Sequence, residues 1–154
     1  MTHLYSLAEA NLHEHSIVTI GVFDGVHKGH QYLIKRLVDE AHSTGRLAVV
    51  LTFFPHPDIV LRGLQGRYYL TTAEQKADLL TALGVDCVVT HPFNDEVRQV
   101  RAADFVDQLL QNLKMSALWV GSDFAMGYKR EGNVPFLREQ GIQKDFTVHD
   151  IDLI

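Results

Sequence analysis

The chain has a single cysteine, Cys87, so no disulfide can form within it. With Val85, Val88 and Val89 beside it, that thiol is expected to be a buried, inert core group. There is no surplus of positive charge either: 14 Lys and Arg stand against 19 Asp and Glu, a net of −5. A general nucleic-acid surface needs a basic face, so nucleic acid is not an expected partner. A nucleotide site is not excluded, because a few local donors can hold a phosphate in an acidic protein. No uninterrupted apolar run is long enough to cross a bilayer. The N-terminus lacks the basic segment and apolar stretch of a secretory signal. A cytoplasmic protein without a membrane partner is expected. Internal repeats, linkers and low-complexity tracts are missing, and no obligate protein partner is evident. What is present suits one soluble domain: 154 residues, 46% of them hydrophobic, can bury a sizeable core.

Apolar runs and their spacing predict strands at about 16–21, 47–53, 85–90, 117–121 and 146–151, with helices at about 29–44, 72–83, 102–113 and 134–140. Leu47 to Phe53 is apolar on both faces, as a parallel strand covered by helices would be. Phe105, Leu109 and Leu113 form one row of the third helix, beside Val106 and Leu110. Thr71 or Thr72, followed three residues on by Glu74 or Gln75, offers a capping signal for the second helix. Alternating strands and helices predict an α/β fold, a Rossmann-like open and mostly parallel sheet with helices on both faces. The six histidines His3, His13, His15, His42, His91 and His149 are scattered and are expected at the surface.

The most informative segment is Gly21-Val22-Phe23-Asp24-Gly25-Val26-His27-Lys28-Gly29-His30. It lies between an apolar strand and a helix whose buried face is marked by Leu33, Ile34, Leu37, Val38 and Ala41. A strand turning through glycines into a helix gathers free backbone N–H groups and the positive end of a helix dipole, which suits phosphate. His27 and His30, three residues apart, project from the first turn toward the same group. A metal pair is the competing reading, but no third ligand is evident in the sequence. The glycines favour close approach of backbone to a bulky anion.

These residues resemble the nucleotidyltransferase signature G-x-F-D-G-x-H-x-G-H. With Phe53-Phe54-Pro55-His56-Pro57 after the second strand and Gly121 to Gly132 after the fourth, the chain from about Ser16 onward looks like the adenylyltransferase module of bacterial FAD synthetase. The resemblance implies adenylyl transfer from ATP to FMN, with Mg²⁺ accompanying ATP. It implies that His27 and His30 are catalytic, donating hydrogen bonds to phosphate oxygens. It implies nucleotide binding by Gly21, Phe23, Asp24, Gly25, Lys28, Gly29, Gly121, Asp123 and Arg130. Phe54, Pro55, His56, Pro57, Phe124 and Met126 are implied on the flavin side. Two positions depart from the family pattern: Phe54 stands where an acidic residue is common, and Met126 where an aromatic one is usual. Bland readings remain open for several residues. Asp24 could be a helix cap, Lys28 a solvated charge, Pro55 to Pro57 a strand-ending turn, and Lys129-Arg130-Glu131 a solvated run.

Family members continue into a serine/threonine-rich segment of the type I-S-S-T-x-I-R and a riboflavin kinase barrel. Neither is found in this sequence, so residues 1–154 are expected to be an adenylyltransferase domain truncated at its C-terminal end, one that binds ATP, transfers AMP only weakly and has no riboflavin kinase activity. Two other functions stay in view. One is nucleotidyl transfer to a different small phosphate acceptor, such as phosphopantetheine. The other is a catalytically weak nucleotide- or flavin-binding module.

Overall fold

The computed structural model describes residues 2–21, 23, 28–54, 72–122 and 124–151, with the backbone alone at Lys28. In chain order come strand β1 (Thr2–Leu4), a 3-10 turn (Leu7–Glu9), β2 (Ser16–Ile20), helix α1 (Lys28–Ser43) and β3 (Leu47–Phe54). Then follow α2 (Ala73–Ala82), β4 (Cys87–Pro92), the single turn α3 (Asp95–Arg98), α4 (Ala102–Leu113) and β5 (Met115–Gly121). A small hairpin, β6 (Ala125–Met126) and β7 (Gly132–Asn133), encloses a 3-10 turn at Tyr128–Arg130 and leads into α5 (Val134–Lys144) and β8 (Thr147–Ile151).

β1, β4, β3, β2, β5 and β8 lie side by side in that order, every pair parallel. Alternate residues of the central strands feed two separate cores, as the period of two requires. Ile17, Ala48, Val50, Val88, Ala117 and Trp119 pack against Leu33, Ile34, Leu37 and Ala41 of α1 and Ala77 and Leu80 of α2. On the opposite face, Val18, Ile20, Val49, Leu51, Val89 and Leu118 meet Phe105, Val106, Leu109 and Leu113 of α4 and Leu137 of α5. Helices thus cover both faces of an open parallel sheet, the expected fold class. Cys87 is buried, and burial pushes its thiol up to about 11, so it stays protonated and inert at neutral pH.

Local chemistry explains the element ends. Thr72 and Gln75 form a reciprocal capping box at α2: the Thr72 hydroxyl accepts from the Gln75 N–H (3.1 Å), and the Gln75 side-chain Oε1 accepts from the Thr72 N–H (2.9 Å). Asn133 caps α5 by accepting from the Phe136 N–H at 3.0 Å.

Several boundaries differ from expectation. Strand β4 starts at Cys87 rather than 85, because Val85 still bonds back to Leu80 and one Asp86 carboxylate oxygen takes the Ala48 N–H at 2.8 Å. Strand β5 begins at Met115, two residues early. Helix α5 runs through Gly141 to Lys144, four residues past its expected end at about 140. β1 and its following 3-10 turn were not expected. Their short run carries no period of its own and is fixed by long-range partners: His3 bonds Thr90 at 2.7 Å, and the Leu7 N–H donates to His91 Nδ1 at 2.9 Å. His3 and His91 are accordingly partly buried, a correction to their expected surface placement, whereas His13, His15, His42 and His149 are exposed.

Candidate active site

Strands β3, β2 and β5 are adjacent at the centre of the sheet. After β2 the chain winds outward to β3 and β4, while β5 and β8 extend the sheet the other way. The strand order therefore reverses between β2 and β5, which is where open α/β sheets bind ligands beyond the carboxyl ends of their strands. The three motifs noted in the sequence leave those same three strand ends.

At the end of β2, the Gly21 N–H donates to the Leu51 carbonyl at 3.1 Å. A Cβ on Gly21 would lie 2.9 Å from two ring carbons of Phe23, so any larger residue here must displace that ring. Phe23 is only 5% exposed and has φ of 52°, an uncommon conformation for a bulky residue. Its ring meets His30 edge-on, with centroids 5.2 Å apart and planes at 84°. Gly21, the Phe23 ring and His30 thus lie in one contiguous row of contacts. His30 sits half-buried in the first turn of α1, a turn without any acidic residue to compete for its N–H groups. Among the described residues nothing lies within 4 Å of where a Gly29 Cβ would stand. Lys28 opens α1 with its backbone. Asp24, Gly25 and His27 lie outside the described residues.

Phe54 ends β3, is 39% exposed and accepts a hydrogen bond at its carbonyl from the Phe93 N–H (3.2 Å). Behind it Phe53 packs tilted or edge-on against His91, Phe93 and Phe105 at centroid distances of 6.3, 5.8 and 6.5 Å. His91 is drawn into this aromatic cluster, and burial lowers its pKa. Pro55, His56 and Pro57 lie outside the described residues.

At the end of β5, the Phe124 N–H donates back to the Gly121 carbonyl at 3.0 Å, which turns the chain sharply. Phe124 is partly buried against the core, and Met126 is buried within it. Arg130 is exposed, with φ of 57°, directly after Lys129 at 52°. Two successive left-handed non-glycine residues cost roughly 1–2 kcal/mol each and persist only where their surroundings hold them. Asp123 lies outside the described residues.

What holds this turn escaped the sequence reading. Glu131 is no solvated charge: its carboxylate accepts from Arg101 Nε at 2.6 Å, from Arg101 Nη2 at 2.8 Å and from the Ala102 N–H at 2.9 Å. The Arg101 hydrogen bonds, then the Ala102 N–H, hold the Glu131 carboxyl below the usual carboxylate range. The available signal was α4 itself, whose N-cap residue is Arg101, with no side-chain cap of its own. A helix start without Ser, Thr, Asp or Asn needs an acceptor from elsewhere.

The chain leaving β2 thus enters α1 with His30 in its first turn, and the chain leaving β5 reaches the turn that carries Arg130. A helix start, an imidazole and a guanidinium are groups whose chemistry suits phosphate oxygens.

A family model described as FAD synthetase matches residues 9–154. A bifunctional riboflavin kinase/FMN adenylyltransferase of Pseudomonas fluorescens is 38% identical over 88% of this chain and 44% of its own length. The proteins of that name from Listeria monocytogenes and Escherichia coli K12 are 37% and 32% identical, over 77% and 94% of this chain and 38% and 46% of their own lengths. The chain thus spans less than half the length of the curated relatives it matches. A solved structure named as a macrolide-efflux protein from Streptococcus pneumoniae superposes with a TM-score of 0.81 over 98% of this chain and 49% of the other, at 20% identity, which speaks to the fold alone. The motifs that follow β2, β3 and β5 in the sequence all lie within the matched stretch, and the chain belongs to the FAD synthetase family.

Proposed function

We propose that this chain transfers AMP from MgATP to FMN, giving FAD and pyrophosphate. The observation that carries the reading is the arrival of all three motifs at the adjacent carboxyl ends of β2, β3 and β5 in a member of this family. In the reaction an oxygen of the FMN phosphate forms a bond to the α-phosphorus of ATP. The bond from that phosphorus to the bridging oxygen breaks, and its electron pair leaves with pyrophosphate. The attacking oxygen is already ionised at neutral pH, so no strong base is required. Alignment and stabilisation of charge on the non-bridging and leaving oxygens supply the rate.

His30, and His27 with it, would donate to those oxygens. Gly21, Phe23, Asp24, Gly25, Lys28 and Gly29 would surround the phosphates at the start of α1. Gly121, Asp123 and Arg130 would hold the nucleotide from the β5 side. Phe54 to Pro57 and Phe124 would form the flavin side. Met126, buried in the core, would support that wall from behind. Among the described residues no three His, Cys, Asp or Glu side chains are grouped so as to hold a metal. In this reading the cation arrives with the nucleotide, ligated by phosphate oxygens and water. No helix among the described residues is long and apolar enough to cross a membrane, and the reading assigns the reaction to the cytoplasm.

The test is FAD and pyrophosphate formation from MgATP with FMN, beside a panel of other phosphate acceptors that includes phosphopantetheine. FAD produced with FMN preferred over the panel is expected. Transfer to another acceptor in preference to FMN, or nucleotide binding without turnover, would overturn the assignment.

A further inference from the structure

The β6–β7 hairpin is fastened to the start of α4 more firmly than a surface turn requires. The Tyr128 N–H donates to the Val100 carbonyl at 3.0 Å. A Cβ on Gly127 would stand 2.8 Å from the Ala102 backbone, and one on Gly132 would stand 2.8 Å from the Ala102 Cβ, so the hairpin backbone lies directly on that residue. Arg101 lies over the Tyr128 ring at 5.9 Å while both of its bonded nitrogens engage Glu131. Between the Tyr128 and Glu131 anchors stand Lys129 and Arg130, the two left-handed residues. Released from either anchor, that pair would relax toward ordinary backbone angles and carry the Arg130 side chain elsewhere.

We propose that Glu131 is a positioning residue for nucleotide binding, clamping the Tyr128–Arg130 turn to Arg101 and the first amide of α4 so that Arg130 is presented at the end of β5. The proposal rests on the reading that Arg130 contacts the nucleotide. Glu131 itself touches no substrate and acts through its neighbour.

Calorimetric titration of MgATP into the 154-residue chain and into E131A, R130A, E131A/R130A and E131Q tests it, with FAD formation measured alongside and at a temperature where every variant is folded. Because a binding group misplaced by about 1 Å loses much of its effect, E131A should weaken ATP binding by roughly 10- to 100-fold. E131Q, whose amide oxygen can still accept from Ala102 and one Arg101 nitrogen, should recover part of the loss. The double variant should be no weaker than R130A, because Glu131 has nothing left to position once Arg130 is gone. ATP affinity unchanged in E131A, or additive losses in the double variant, would overturn the proposal, whatever happens to the melting temperature. An R130A chain that binds ATP like the parent overturns it as well. A parent chain that binds ATP but forms no FAD defeats only the FMN assignment, and the binding ratios still decide the role of Glu131.

Discussion

Gly21 separates two effects that usually travel together. A Cβ on it would meet the edge of the Phe23 ring, and that ring packs edge-on against His30. In Gly21→Ala the added methyl meets the far end of a side chain rather than backbone, so the ring can tilt at a cost of about 1 kcal/mol. The tilt reaches His30, however, and loss of one transition-state donor there is worth roughly 10²–10³-fold in rate. Expected, then, is a melting temperature within a few degrees of the parent together with a drop in FAD formation that approaches that of His30→Ala. Equal activity in Gly21→Ala would show that the ring does not orient the imidazole. His91 makes a different case, in which a proton matters to the fold. Its Nδ1 accepts from the Leu7 N–H, which only the neutral ring can do, and burial lowers its pKa in the folded chain. Above about pH 6.5 the ring is neutral folded or unfolded and stability carries no contribution from its titration. As pH falls below that value the unfolded chain takes up the proton first, so stability declines until the folded ring is protonated too. His91→Asn keeps an acceptor for Leu7 without a titrating ring. Urea unfolding at pH 8 and pH 5 should show a smaller acid loss in His91→Asn than in the parent, and identical losses would exclude His91 as the source.

Helix α5 is where element-level rules meet a tertiary veto. By propensity alone, Gly141→Ala within a helix should stabilise by about 1 kcal/mol. A Cβ at Gly141 would instead stand 2.4 Å from the Phe146 carbonyl oxygen, on backbone that closes the turn from α5 into β8. Something must shift, and overpacking of this kind costs about 1–3 kcal/mol. The expected sign in thermal unfolding is therefore destabilising, and a raised melting temperature would mean that the α5–β8 turn opens freely. The helix runs on past the expected end at about 140, and the approach of Phe146 shows that the glycine serves close packing inside it. Elements with their own period were legible, as α4 was from Phe105, Leu109 and Leu113, and the Thr72–Gln75 capping box was readable from spacing. Elements fixed by distant partners were not. β1 pairs with β4 some 85 residues away, as in Thr2 with Cys87, and no local pattern announces it. The candidate site divides likewise. His30 and Arg130 stood out through motifs, whereas Glu131 works through Arg101 thirty residues upstream and looked like one more charge in a run.

At the scale of the molecule, the proposed reaction asks an acidic chain to hold a polyanionic nucleotide, so local geometry would have to outweigh a net charge of −5. The helix start after β2 and the basic turn after β5 would supply that geometry, beside a core split between the two faces of the sheet. A divalent cation would lower the remaining repulsion, and its place in the system decides how the protein responds to a chelator. The described residues offer no group of three metal-ligating side chains, and the lone thiol is buried and pushed up to about 11, well away from ready thiolate ligation. A cation carried by triphosphate oxygens contributes to catalysis without contributing to folding, whereas a closed zinc site would supply folding energy outright. Dialysis against excess EDTA should therefore leave circular dichroism and melting temperature unchanged while FAD formation ceases, and added Mg²⁺ in excess of the chelator should restore turnover at once, with no refolding lag. Unfolding on chelation with release of one zinc per chain would reverse the assignment, placing His27 and His30 in a structural metal site and leaving the phosphate to be held by the helix start and the basic turn alone.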